Sequence, residues 1–443
     1  MTDISLAERI TQARAELEAG DASQAFQTLR SALEYPQATL NERELFVTAM
    51  RGFSPIARAI GGAQLGDTLD RVVSAPDRPQ ALYDAGYALI EQSLHRLAAT
   101  VLLRANTLAP GEPAILGELS AALESALAYS HARQLIDASG CVGQDGLVTY
   151  LAGFHALMSG DRSRARSLIE SLLPATDPKL GSMVEQLHCM TRRAEILASA
   201  SIDLGPHGLS AWHAALNGSV LLSESPHGYD EPMRGRYAFL QDSPELMRLG
   251  IERLRQVLAE VRSPERVIAA PDRASRILAQ VVASRLSLPL VPFGKDVAPG
   301  LVVAWNMDAV GDQAFLKAYR EHRPGDILFS HVSQWVAPFP YAPDVTTILI
   351  QSVTHPYTGG ALITGPDRTT RRAAPDPRSD AELAAEISSC GKQAESQTEV
   401  DLPLAIVRAL AGVPADQRLG LFRTGGARNR QRAGSAVQSA RFM

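Results

Sequence analysis

The feature that most constrains this chain is a recurrence of small residues and helix breaks along its first two hundred positions. Between Ala13 and Leu33, small or apolar residues stand at Ala13, Ala25, Leu29 and Ala32; Gly20-Asp21 interrupts two amphipathic halves and Pro36 closes the segment. Glycine ends one helix, aspartate starts the next, and the small residues let two backbones approach, so the stretch predicts an antiparallel helix pair. The same phase returns at Gly86, Leu89, Ala98, Leu102, Ala105 and Pro110, and again at Gly153, Ala156, Gly160-Asp161, Ala165, Ile169, Leu172 and Pro174. A weaker version spans Leu119 to Ala138, with Ala132 and Leu135, and residues 41–80 leave room for one further degenerate pair. Ala105 lies 73 residues after Ala32, and Leu172 lies 67 after Ala105. Each offset is close to two periods of about 34 residues, the signature of stacked helix pairs.

Composition bounds the rest. With 443 residues, 45% of them hydrophobic and 21% charged, the chain is long enough for two or three globular domains. A net charge of −5 excludes a protein whose whole surface is built for nucleic acid. Cys141, Cys189 and Cys390 form no C-x-x-C pair and are odd in number, which predicts neither a disulfide framework nor a classical zinc site and fits a reducing, cytoplasmic setting. The opening residues show no basic stretch followed by an apolar core, and no apolar run reaches about 18 residues, so neither a secretory signal nor a membrane span is expected.

The repeating positions resemble the tetratricopeptide repeat family, which carries small residues at its eighth, twentieth and twenty-seventh positions and a proline near the end. The resemblance covers roughly residues 6–200; the family's large aromatic near position four is mostly missing here. It implies a stacked superhelix whose concave face holds a peptide or partner protein. On that basis the first expectation is a non-enzymatic scaffold or adaptor.

Composition changes near Leu204. A short apolar run at Ser219–Leu222 leads into the densest polar cluster of the chain, which with His213 contains Glu224, His227, Tyr229, Asp230 and Glu231. No metal-binding spacing appears among them. The cluster reads as a hairpin and polar loop, with His227 and Tyr229 as candidate ligand contacts. A helix capped by Asp242 or Ser243, with Pro244 at its first position, is predicted to run to Val261.

From Arg266 the period becomes that of alternating strands and helices. Strands are predicted at Val267–Ala270, Leu288–Phe293 (an edge, for its two prolines), Leu301–Trp305, Asp326–Ser330 and Val345–Ile350; helices are predicted at Ser275–Leu286 and Asp312–His322. This pattern indicates a mainly parallel sheet, in which ligands bind beyond the carboxyl ends of the strands. Asp272, Arg273, Ser275, Asn306 and Asp308 fall there and are the candidate ligand-binding residues. Neither G-x-G-x-x-G nor a P-loop occurs. No catalytic residue, metal ligand or cofactor is assigned.

The run Val267-Ile-Ala-Ala-Pro-Asp-Arg-Ala-Ser, with Leu301-Val-Val-Ala-Trp-Asn-Met-Asp-Ala-Val-Gly-Asp, resembles the type I phosphoribosyltransferase fold over residues 266–355. The resemblance implies a nucleotide or sugar-phosphate site, and hence a second expectation of an enzyme or small-ligand sensor. Trp305 and Asn306 replace the family's acidic pair, however, and Asp312 would set a negative charge beside the phosphate.

The expected architecture is therefore multidomain: an all-α helical-repeat superhelix (1–203), an α/β domain with a mainly parallel sheet (204–364), and a linker with a flexible, basic, largely disordered tail (365–443). Two short helices are predicted in this last part, at Asp380–Ile387 and Leu402–Leu410. From Arg418 onward it carries six arginines and no acid, the one place where nucleic-acid contact is expected.

Overall fold

A computed structural model describes residues 5–173, 177–226, 233–294, 296–360, 362–364, 370–390 and 398–439. The chain divides into two compact units, Met1–Val184 and Glu185–Met443.

The first unit is helical. Its helices are α1 (Leu6–Glu18), α2 (Ala22–Leu33), α3 (Arg43–Gly61), α4 (Ala63–Ser74), α5 (Pro79–Glu91), α6 (His95–Leu108), α7 (Pro113–Ser125), α8 (Tyr129–Ala138), α9 (Gly146–Met158) and α10 (Arg162–Leu172). They pack as five consecutive pairs, among them the pair expected over residues 41–80, and the first helices of neighbouring pairs also touch: α1 with α3, α5 with α7, α7 with α9. The Gly-Asp breaks work as the sequence implies. Gly20 and Gly160 adopt φ of 87° and 88°, and the next residues, Asp21 and Asp161, cap α2 and α10 by accepting from the Gln24 and Arg164 amides. Ala25, Leu29, Ala98, Leu102, Ala105, Ala165 and Ile169 are buried, so the recurring small residues are the seam of each pair. At Gly86 the approach is closest: a Cβ there would collide with the Leu102 side chain.

A long helix, α11 (Pro178–Ser199), carries the chain from the first unit into the second. There follow α12 (Leu209–Asn217), β1 (Val220–Leu221), β2 (Tyr237–Gln241), α13 (Pro244–Val261), β3 (Val267–Ala269), α14 (Arg273–Leu286), β4 (Leu290–Pro292), β5 (Leu301–Asn306), α15 (Gln313–Ala318), β6 (Ile327–Gln334) and β7 (Val345–Thr354). A two-stranded antiparallel ribbon of β8 (Leu362–Thr364) and β9 (Thr370–Arg372) precedes α16 (Asp380–Ser389) and α17 (Thr398–Ala411).

The main sheet is parallel throughout, in the order β1-β7-β6-β5-β3-β4, with β2 also paired to β7. β3 and β5 are buried along their whole length, which is why they read as continuous apolar runs rather than alternating ones. One face packs Ile268, Val302, Ala304 and Leu328 against Phe315 and Tyr319. On the other, α14 lies over β3 and β5, and Gly250 of α13 comes so close to β6 and β7 that a Cβ would stand 2.6 Å from Thr347 Oγ1.

Two expectations need correction. The hairpin does not form: β1 and β2 both pair with β7 and both run parallel to it, β1 at Val345 and Thr346 and β2 from Ile350 to Thr354. Secondly, α15 stops at Ala318 rather than His322. The His322 amide, which in a longer helix would donate to the Ala318 carbonyl, donates instead to the Gly426 carbonyl (2.8 Å), and the Leu316 carbonyl accepts from the Tyr341 hydroxyl (2.8 Å). The described part of the terminal segment has little regular structure beyond Ala411 and contains buried side chains. Leu419, Leu421, Arg428, Gln431, Ser435 and Val437 are covered, and Arg428 ion-pairs with Asp344 just before β7. Asn429 and the Arg432 amide bond Asn217 at 3.0 and 2.8 Å, and Arg236 donates to the Val437 carbonyl at 2.7 Å.

Candidate functional site

Strand connections decide where a parallel sheet opens. From β3 the chain steps outward to β4, whereas β5 leads to β6 on the other side, so the crevice beyond β3 and β5 is the topological switch point. Four of the candidate residues gather there. Asp272 caps α14, accepting from the Ser275 amide at 2.9 Å, while its other oxygen is buried without a partner. Ser275 Oγ accepts from the Trp305 amide at 2.9 Å, and buried Asn306 accepts from the Asp308 amide at 3.0 Å. Asp308 is exposed as a residue, but desolvation of its carboxyl raises it to about 6. Asp312 caps α15 through the Phe315 amide.

The fifth, Arg273, does not face an open anion site. Its guanidinium donates to the Asp380 carboxylate (3.0 Å) and to the carbonyls of Asp376 (2.8 Å) and Arg378 (2.6 Å), tying α14 to the segment that leads into α16. His227 and Tyr229 lie outside the described residues.

Behind the crevice is a polar network that local sequence reading missed. Asp242, fully buried, accepts from Trp305 Nε1 at 2.7 Å and lies 3.4 Å from His331 Nε2; His331 Nδ1 is 3.1 Å from Thr347 Oγ1. Burial opposes ionisation of Asp242, but His331 beside it and the hydrogen bonds from His331 and Trp305 hold its carboxyl below the usual value. His355 meets the Trp305 ring edge-on at 4.8 Å and accepts from the Tyr357 amide, and burial pushes it down to about 4. That amide bond puts the proton of neutral His355 on Nε2, which is buried without an acceptor. The helix that begins at Ser243 was legible; that the residue before its cap anchors a tryptophan 63 positions away was not. Ser223 and Glu224 are likewise structural: Ser223 Oγ accepts from Arg253, and Glu224 accepts from the Ser210 amide at 2.9 Å.

The helical unit offers a different kind of site. A groove of about 530 Å³ lies between the α2–α3 connection, α6 and α8. Leu40, Leu103, Leu108 and Leu135 supply its apolar wall, and Tyr35, Asn106 and His131 its polar one. The Tyr35 hydroxyl is 2.8 Å from His131 Nδ1 and the two rings stack at 5.5 Å. Burial lowers the His131 pKa, which keeps the ring neutral near pH 7. Arg104, also in the wall, is neutralised by Asp77 at 2.7 Å. The only local signal for this groove was Tyr35-Pro36, which reads simply as the end of a helix pair.

No group of three or more His, Cys, Asp or Glu among the described residues is arranged to hold a metal ion, and no helix among them is long and apolar enough to cross a membrane. Comparison with protein-family models, curated proteins and solved structures returned no match.

Proposed function

We propose that this chain is a protein-interaction scaffold or adaptor that works in the cytoplasm and holds a peptide of its partner in the helical unit. The observation that carries the reading is the groove of about 530 Å³, within the size range of pockets that enclose a ligand. Five successive helix pairs, with contact between first helices at three of the four junctions, support kinship with tetratricopeptide-like repeats. The groove is lined by second helices, α6 and α8, and by an inter-pair connection, so the peptide is proposed to lie there rather than along the first helices.

The alternative, a nucleotide or sugar phosphate at the strand ends, has less in its favour. Arg273, the cation nearest the switch point in sequence, is already bonded to Asp380, while Asp272, Asp308 and Asp312 would oppose an anion. The phosphoribosyltransferase likeness therefore enters this proposal as a parallel sheet without its phosphate chemistry. Nucleic-acid contact through the terminal arginines is weakened too, because Arg428 serves Asp344.

Affinity purification of the tagged full chain from its own cells, beside a Thr107→Trp variant that fills the groove from an exposed position, tests the proposal. A co-purifying protein lost from the variant supports it. An identical set of proteins from both baits refutes it.

A further inference from the structure

The chemistry of the groove wall restricts what can lie in it. Its lining contains no carboxylate. The one guanidinium, Arg104, donates to Asp77 and to the Pro76 carbonyl (3.1 Å). Next to the groove, Arg96 is turned onto the Tyr35 carbonyl at 2.7 Å and lies 3.6 Å from Glu34. Charges at the groove are thus balanced within the unit, and a charged side chain entering it would lose hydration without gaining a counter-ion.

One polar pair remains. The Tyr35 hydroxyl and the neutral His131 ring share one hydrogen bond, and in either tautomer one donor of the pair is left over, Nε2–H or the hydroxyl proton. A donor in a wall of leucines matches the C=O groups of an extended main chain flanked by apolar side chains. Leu108, 39% exposed, extends the apolar surface to the rim.

Resting on the reading of the groove as a peptide site, we propose that its occupant is an uncharged, apolar, extended peptide segment, held by its main chain at the Tyr35–His131 pair and by leucine-type side chains against Leu103, Leu108 and Leu135. Recognition is by apolar burial and neutral hydrogen bonds, so affinity changes less than about twofold between low and high salt.

A random peptide library displayed on phage, panned on the intact full chain, tests this. Selected peptides are then made synthetically, and their dissociation constants are measured for the parent, Thr107→Trp and Leu108→Glu, two exposed substitutions that leave the core alone. The expected result is enrichment of sequences free of Asp, Glu, Lys and Arg over the binding stretch, with affinity reduced at least tenfold by each variant and insensitive to salt. Enriched peptides that are acidic or basic, salt-sensitive, and still lost on Thr107→Trp would overturn the chemistry but leave the groove as a peptide site. Enriched peptides whose affinity neither variant changes, or no enrichment at all, would overturn the peptide site itself.

Discussion

The two units use polar residues in opposite ways. In the helical unit the ion pairs are mostly solvent-exposed and join neighbouring helices, as Arg58 does with Asp67 and Asp70, or Arg104 with Asp77. Such pairs add little to stability, and the unit is held by its apolar seam. In the α/β unit the polar contacts are buried and reach far along the chain: Arg428 to Asp344, Trp305 to Asp242, Arg236 to Val437, Arg193 to the Ala215 carbonyl. Buried polar groups that find partners fix a single arrangement, at the cost that losing one partner strands the other. A groove with neutral, partly unmet polar groups in one unit, and strand ends whose polar groups serve the fold in the other, is the contrast on which the functional reading stands.

The sharpest way to break it is to strand a buried charge. Arg428→Ala removes the guanidinium that partners the buried Asp344 side chain and is expected to destabilise the α/β unit by about 3–5 kcal/mol, while unfolding of the helical unit stays in place. Denaturant titration with a probe in each unit reads this; Arg428→Met with Asp344→Leu should recover most of the loss. Equal loss in both units would remove the distinction.

Acid separates the units next. Burial pushes His322 and His355 to about 4 and His213 to about 3, all in the α/β unit, whereas the helical unit has His155 at about 3 and a smaller lowering at His131. A depressed histidine is neutral when folded, so the unfolded chain binds the proton first. Stability is therefore fully present above about pH 7 and declines as pH falls from the ordinary histidine value toward 4, by no more than about 3 kcal/mol per group. Asp242, with its lowered carboxyl, keeps its contribution above the usual aspartate range and loses it only below that. Melting curves between pH 7 and 4.5 should show the α/β unit losing more than the helical one.

Smaller effects come from close approaches. In Gly250→Ala a Cβ meets Thr347 and, at 3.1 Å, His331 Nδ1, which should cost about 1–3 kcal/mol in the α/β unit; Gly86→Ala should cost a similar amount in the helical unit, against Leu102. The smallest is a gain. Ser93 sits between α5 and α6 at φ 59°, where the pairs at Gly20 and Gly160 have glycine, so Ser93→Gly should raise helical-unit stability by about 0.5–1 kcal/mol.

That last comparison shows what a sequence makes legible. Pairs with Gly-Asp breaks announce themselves, because positive φ and an N-cap are local needs met by adjacent residues. Where Ser93 and Leu127 take the same backbone shape, at φ 59° each, the turn is hidden but the small-residue phase still marks the pair. β3, β5, β6 and β7 were visible as apolar runs. β2 was not, since an edge strand with an exposed Phe239 lacks that signal. The candidate site was the least legible part. Arg273 stands among strand-end residues, and only the fold reveals that its partner is Asp380, 107 positions on. Asp344 and Arg428, 84 positions apart, share no period that a local reading could detect.

Whether the helical groove or the strand-end crevice meets the partner is decided by placing a photo-crosslinking amino acid at one exposed position in each, Thr107 and Asp308, and irradiating the full chain in its own cells. If the groove holds the partner, position 107 gives a discrete protein adduct and position 308 gives none. An adduct from position 308 with none from position 107 would place the partner at the crevice instead.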